Sequence, residues 1–312
     1  MPPLDLDRLR RRLPPVPLTR FAPSPTGYLH LGHAVNAVFV WGLARALGGR
    51  VLLRLEDHDR GRSRPAYEAA LLEDLDWLGL EPDAGTAGEL RAGPSDFRQS
   101  DCGAVYEATL ARLAARHTVY ACICSRRSLA GAGDAPPGSE LPYGGRCRSR
   151  RLAPAPGLGL RVALEAGEER FDDAALGPQA QEPARQCGDL LVRDRLGYWT
   201  YQFAVAVDDH RQGVDLVVRG ADLLASTGRQ IRLARLLGRV EPPVFLHHPL
   251  LLKPSGEKLS KAARDAGIRD LRAGGARPPD VLGEAAFRAG LLPERRPIGV
   301  AALAELFREG DR

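Results

Sequence analysis

Lysine is almost missing from this chain of 312 residues: Lys253, Lys258 and Lys261 are the only three, and the other 41 of its 44 basic residues are arginine. A GC-rich coding sequence explains arginine wherever a surface charge suffices. It does not explain three lysines gathered in one short stretch, Lys253-Pro-Ser-Gly-Glu-Lys258-Leu-Ser-Lys261. A compact, rotatable ammonium acts as a point charge on phosphate, whereas a guanidinium imposes a planar fork. The stretch therefore reads as a phosphate-handling loop.

Other shortages narrow the class. No apolar run approaches the ~18–20 residues of a membrane-spanning helix, so no membrane role is expected. Residues 1–17 hold Arg10-Arg11-Arg12 but no apolar core or small-residue cleavage site, and read as a flexible leader rather than an export signal. Cysteine numbers five, an odd count that favours reduced thiols or metal ligands over a disulfide framework and points to the cytoplasm. Hydrophobic residues at 44% and charged residues at 27% exclude a disordered or collagen-like chain. The net charge of +5 is a weak cue toward an acidic partner such as nucleic acid.

Periodicity predicts a strand at Leu18 to Phe21, a helix from Ala34 to Leu47 stopped by Gly48-Gly49, and a buried strand at Val51 to Leu55. Strand, helix, strand in so short a span is a βαβ unit, hence an α/β fold with a parallel sheet. Helices follow at Pro65 to Leu78 and Arg98 to His117, then a strand at Thr118 to Cys122. Residues 125–156 are rich in Gly, Ala, Pro and Arg, as in an inserted module. Periodic structure returns at Leu190 to Asp194, Tyr198 to Val207 and Val214 to Val218, followed by a helix at Thr227 to Leu237 and a strand at Val244 to Leu252.

Between the first strand and helix lies Arg20-Phe-Ala-Pro-Ser-Pro-Thr-Gly-Tyr-Leu-His30-Leu-Gly32-His33. Backbone N–H groups at a helix start, with the positive end of its dipole, form an anion site. Two imidazoles three residues apart can both donate to a phosphate as charge develops on it. An incidental turn or an i,i+3 metal pair would explain a bare His-x-x-His; His-x-Gly-His after Ser-Pro-Thr-Gly is far more specific. It resembles the HIGH motif of the class I aminoacyl-tRNA synthetases, in the form found in their glutamyl branch. Lys258-Leu-Ser-Lys261 is similar to the KMSKS motif of the same family, with Ala262 where Ser or Arg usually follows.

The resemblance covers roughly residues 18–265 and implies a Rossmann-like catalytic domain with a zinc-binding insertion and a short helical C-terminal segment. Its halves would span 18–121 and 189–265, flanking an insertion at 122–188, with 266–312 short helices. It implies His30, His33 and Lys261 as catalytic groups, and His30, Gly32, His33, Lys258 and Lys261 as the ATP site. For glutamate it implies Arg20, Glu56, Tyr201 and Arg219, together with Phe21, Ala22, Pro23 and Ser24. Arginine suits a carboxylate by bidentate geometry, and Glu56 would hold the ammonium. Asp208 and Asp209 read as structural support. Cys102 and Cys187 read as core thiols, and His58, His210, His247 and His248 as packing or surface residues.

Cys122-x-Cys124 and Cys147 can furnish three of four ligands of a tetrahedral zinc. Chemistry alone offers water or His117 as the fourth. Glutamyl-queuosine tRNA(Asp) synthetases carry Cys-x-Cys…Tyr-x-x-x-Cys, and Tyr143-Gly-Gly-Arg-Cys147 matches it, so the resemblance implies Tyr143 and one structural zinc. The 51 residues after Lys261 are too few for the anticodon-binding domain of a full-length glutamyl enzyme, and Val205 stands where many of those carry a polar residue. The resemblance thus implies a monomer that activates L-glutamate with ATP and Mg²⁺ and transfers it to queuosine-containing tRNA(Asp). A truncated glutamyl-tRNA synthetase, a non-catalytic RNA-binding paralogue and a pantothenate-synthetase-like ligase are the rival readings.

Overall fold

The computed structural model describes residues 4–125, 128, 142–251 and 267–308. Its first element corrects the expectation of a loose leader. Asp5 caps a short helix, α1 (Leu6–Arg12), by accepting the Arg8 N–H at 2.7 Å. Leu6 and Leu9, one turn apart, are buried in the main core, and Arg8 and Arg12 both bind Asp172. Three apolar anchors, with Leu4, dock a segment whose proline and arginine content alone reads as unstructured.

The βαβ unit then appears as predicted: β1 (Leu18–Phe21), α2 (Leu31–Ala46) and β2 (Arg50–Leu53), with β1 and β2 parallel and Arg20 opposite Leu52. Helix α2 begins at Leu31, a turn earlier than its apolar pattern, because His30 caps it. It runs through the protein interior with Val38, Phe39, Val40, Trp41 and Leu43 all buried. Gly42 lets the segment Val300–Phe307 close on it: a Cβ there would sit 2.3 Å from the Phe307 ring.

Helix α3 (Pro65–Leu78) ends at Gly79 in the left-handed region, and α4 (Gly103–Arg116) follows a single 3-10 turn at Gln99–Cys102. The remaining strands are β3 (Val119–Cys122), β4 (Gly159–Val162), β5 (Glu169–Asp173), β6 (Gly177–Gln181), β7 (Leu190–Arg193), β8 (Leu216–Gly220) and β9 (Val244–His248). Late in the chain they alternate with α5 (Tyr201–Arg211) and α6 (Thr227–Leu236), and α7 (Ile268–Ala273) and α8 (Pro278–Arg288) follow the last strand.

The main sheet has the order β2-β1-β8-β9-β5-β6, parallel except for the β5–β6 hairpin at its edge. A separate antiparallel sheet joins β3, β4 and β7. Residues 122–188 are therefore not one module. The first part carries the cysteines; the last part, β5–β6, belongs to the main sheet beside β9. The polar, non-alternating sequences of the two short strands, ERFDD and GPQAQ, carry no period that marks them. In the main sheet β1 is flanked by β2 on one side and β8 on the other, so chain order reverses at β1. In open α/β sheets a crevice opens at the carboxyl ends of strands at such a point.

Candidate active site

The crevice is there. A cavity of about 400 Å³ lies past the carboxyl ends of β1, β8 and β9, within the size range of small-molecule sites. Arg20, Phe21, Ala22, Pro23, Ser24, His30, Gly32, His33, Glu56, Tyr201 and Arg219 all line it. These residues come from four separate stretches of chain, and one space gathers them.

The two imidazoles are part of the helix cap. The Gly32 N–H donates to His30 Nδ1 at 3.1 Å, and the His30 N–H donates to His33 Nδ1 at 3.1 Å. A ring nitrogen that accepts from an amide carries no proton, so each neutral ring holds its proton on Nε2. The rings lie 4.0 Å apart, centre to centre. Gly32 permits this: a Cβ would come within 2.9 Å of the His30 ring. The result is a helix N-terminus carrying two oriented N–H donors.

Behind it sits a buried set of charges of both signs. Arg20 donates from Nε to Asp209 Oδ1 at 3.1 Å and from Nη1 to the Val218 carbonyl at 3.3 Å. Arg219 donates to His247 Nε2 at 3.0 Å, Gln230 Oε1 at 2.6 Å and Thr227 Oγ1 at 2.7 Å. Glu56 accepts from Arg54 Nη2 at 3.0 Å. Burial raises the Tyr201 hydroxyl above its ordinary pKa, with Arg219 pulling the other way, so the hydroxyl keeps its proton. Buried groups of both signs suit a zwitterion with a second carboxylate, provided each charge is paired.

Sequence reasoning missed Arg54, which is fully enclosed; its signal was an arginine between leucines in a strand that is otherwise apolar. It also missed Asn36 and His248, which line the cavity too, and the Asp173–His247 pair at 2.6 Å.

Lys253, Lys258 and Lys261 lie outside the described residues. Leu251 lines the cavity wall. Gly267 bridges His30, and the Ile268 N–H donates to the Leu29 carbonyl at 2.9 Å.

The sulfurs of Cys122, Cys124 and Cys147 lie within 4.8 Å of one another. Cys124 Sγ is 3.7 Å from Cys147 Sγ, and Tyr143 Oη is 3.4 Å from Cys122 Sγ. A tetrahedron with ~2.3 Å Zn–S bonds has edges of about 3.8 Å, so the donor set fits zinc. His117 does not join this group. Burial pushes the Cys147 thiol up, but hydrogen bonds from Tyr143, the Ile123 backbone and the other two cysteines outweigh it and draw it down to about 7. Arg161 stacks on the Tyr143 ring at 3.8 Å. Cys102 and Cys187 are buried and apart from the cluster.

Residues 17–296 match the model of the class I tRNA synthetase (E and Q) catalytic domain. The chain is 43% identical over 298 residues to a glutamyl-Q tRNA(Asp) synthetase of Symbiobacterium thermophilum, covering 92% of this chain and 91% of that one. It is 42% identical over 288 residues to the enzyme of the same name from Nitratidesulfovibrio vulgaris, covering 89% and 88%. Among solved structures, glutamate-tRNA synthetase from Elizabethkingia anophelis superposes with a TM-score of 0.74 at 25% identity, covering 93% of this chain. This chain spans only 65% of that longer protein. No helix among the described residues is long and apolar enough to cross a membrane. The chain belongs to the class I tRNA synthetase (E and Q) catalytic-domain family, and within it to the glutamyl-Q tRNA(Asp) synthetases.

Proposed function

We propose that this protein activates L-glutamate with ATP, without tRNA, and transfers the glutamyl group to queuosine at the wobble position of tRNA(Asp). One observation carries the reading: a single cavity joins the histidine-capped start of α2 to the buried charges of Arg20, Glu56 and Arg219. Phosphates bind at the helix start, where amide N–H groups and the dipole favour them. Glutamate binds beside them, its carboxylate on an arginine and its ammonium on Glu56.

Holding the two substrates so oriented removes much of the entropic barrier. An α-carboxylate oxygen of glutamate attacks the α-phosphorus of ATP. The bond to the β-phosphate oxygen breaks, and pyrophosphate leaves with the electron pair. The Nε2–H groups of His30 and His33 donate to the phosphate oxygens as charge builds there. Lys258 and Lys261 balance the departing pyrophosphate, and Mg²⁺ accompanies ATP. A ribose-like hydroxyl of the queuosine cyclopentene ring then attacks the glutamyl carbonyl; AMP leaves and the hydroxyl proton is lost.

Cys122, Cys124, Cys147 and Tyr143 would hold one zinc, which supplies a rigid cross-link to the segment around β3 rather than reaction chemistry. The protein acts as a cytoplasmic monomer in this reading. The test is incubation with ATP, labelled glutamate and tRNA(Asp) with or without queuosine. Label is expected only on the queuosine-containing tRNA, within its anticodon. Label at the 3′ end of a tRNA would favour the truncated glutamyl-tRNA synthetase instead.

A further inference from the structure

Beneath the cavity runs a chain of buried groups to which the sequence assigned no role. His247, on β9, is wholly enclosed. Its Nε2 accepts the Arg219 Nε–H at 3.0 Å, and Thr227 Oγ1 lies 3.2 Å from the same nitrogen. Because Nε2 accepts, the ring proton sits on Nδ1, where it donates to Asp173 Oδ2 at 2.6 Å. The other oxygen of Asp173 accepts the N–H groups of Ala175, Leu176 and His247 at 3.0, 2.9 and 3.3 Å. Burial and the neighbouring Arg219 keep His247 below its ordinary pKa, although Asp173 pulls the other way. The ring is neutral, and its tautomer is set by Asp173.

We propose that His247, oriented by Asp173, is a positioning residue for glutamate recognition: its Nε2 lone pair fixes the Arg219 guanidinium in the cavity wall. Arginine has five N–H groups. Those given to His247, Gln230 and Thr227, with Tyr201 as a further hydrogen-bond partner, leave one for the substrate carboxylate. Without the Nε2 acceptor the fork loses one of its fixed points and turns toward other partners. The proposal rests on the reading of Arg219 as a glutamate ligand.

Asp173→Asn tests it without changing shape. The three backbone donors keep the carbonyl oxygen where Oδ1 was, so the amide nitrogen faces His247 Nδ1. That nitrogen must then accept, the proton moves to Nε2, and two donors face each other at Arg219. In glutamate-dependent ATP–pyrophosphate exchange, Asp173→Asn should raise the KM for glutamate roughly tenfold or more, the scale of a lost hydrogen bond to a charged group. The KM for ATP should stay within about twofold. His247→Phe keeps the ring and deletes the acceptor; it should raise glutamate KM similarly, and it decides the matter if Asp173→Asn fails to fold. The double variant should be no worse than the weaker single one, because both act through one lone pair. Unchanged glutamate KM in the folded variants, or a parallel rise in ATP KM, would overturn the relay. Arg219→Gln separates the two readings. If it leaves glutamate KM unchanged, Arg219 is not a ligand and both fall; if it alone raises KM, only the relay falls.

Discussion

Arg54 Nη1 lies 2.8 Å from Asp209 Oδ1, and the Arg54 side chain has no exposure to solvent. Asp209 also binds Arg20 at 3.1 Å, so one carboxylate ties a core arginine to a cavity arginine. Burial alone would lower the Arg54 pKa; Asp209, Glu56 and Asp208 overrule it and hold it raised. Deleting the cation leaves three carboxylates in the interior with less compensation. Arg54→Met is therefore expected to cost about 3–5 kcal/mol of stability, read from urea denaturation. An unchanged denaturation midpoint would show the cluster to be dispensable.

The cap geometry gives the two histidines separable roles. His30→Ala removes both a cap, at about 1 kcal/mol, and an Nε2–H donor at the phosphates. His33→Ala removes a donor and the acceptor for the His30 N–H. Each should slow glutamate-dependent pyrophosphate exchange on the order of 10²–10³-fold, as single electrostatic groups do, and Lys261→Ala should match them. Full exchange activity in Lys261→Ala would remove the lysine from the chemistry.

Asp74, on the face of α3 toward α7, illustrates a buried carboxyl without adequate pairing. Its Oδ2 has no hydrogen-bond partner. Burial pushes its pKa up to about 6, with Arg269 and Arg272 pulling it down. The unfolded chain releases the same proton near pH ~3.9. Between about 4 and 6 the folded state holds a proton that the unfolded state lacks, so this group's contribution to stability falls as pH rises through that window. Asp74→Asn should gain on wild type by about 1–2 kcal/mol between pH ~4 and ~7. Denaturation curves at the two pH values check this; a variant that loses ground at the higher pH contradicts it.

The cysteine cluster predicts one bound zinc. Cys122→Ser should lose the metal and loosen the segment around β3 and Tyr143, with glutamate KM changed by less than about twofold because none of these residues lines the cavity. Elemental analysis of the purified variant reads the metal directly. Retention of one zinc per chain would exclude Cys122 as a ligand.

The sequence revealed the cavity's lining well because those residues cluster in short motifs: Arg20 to His33 is one continuous stretch. It revealed the cysteines because their spacing constrains a tetrahedron. It hid Arg54, whose partners Asp208 and Asp209 come from a distant helix, and His247, whose meaning depends on β5 packing beside β9. Pairings of that kind are set by topology, and no local period announces them. The same holds for α1, where Leu6 and Leu9 form too short a repeat to outweigh the prolines that follow.

The central claim is that the histidine-capped helix start and the buried charges form one site for glutamate activation. Pyrophosphate exchange into ATP, measured without tRNA and with glutamate, glutamine or aspartate in turn, tests it most directly. Exchange is expected with glutamate alone. Exchange that ignores the amino acid supplied, or that is absent with all three, would contradict it.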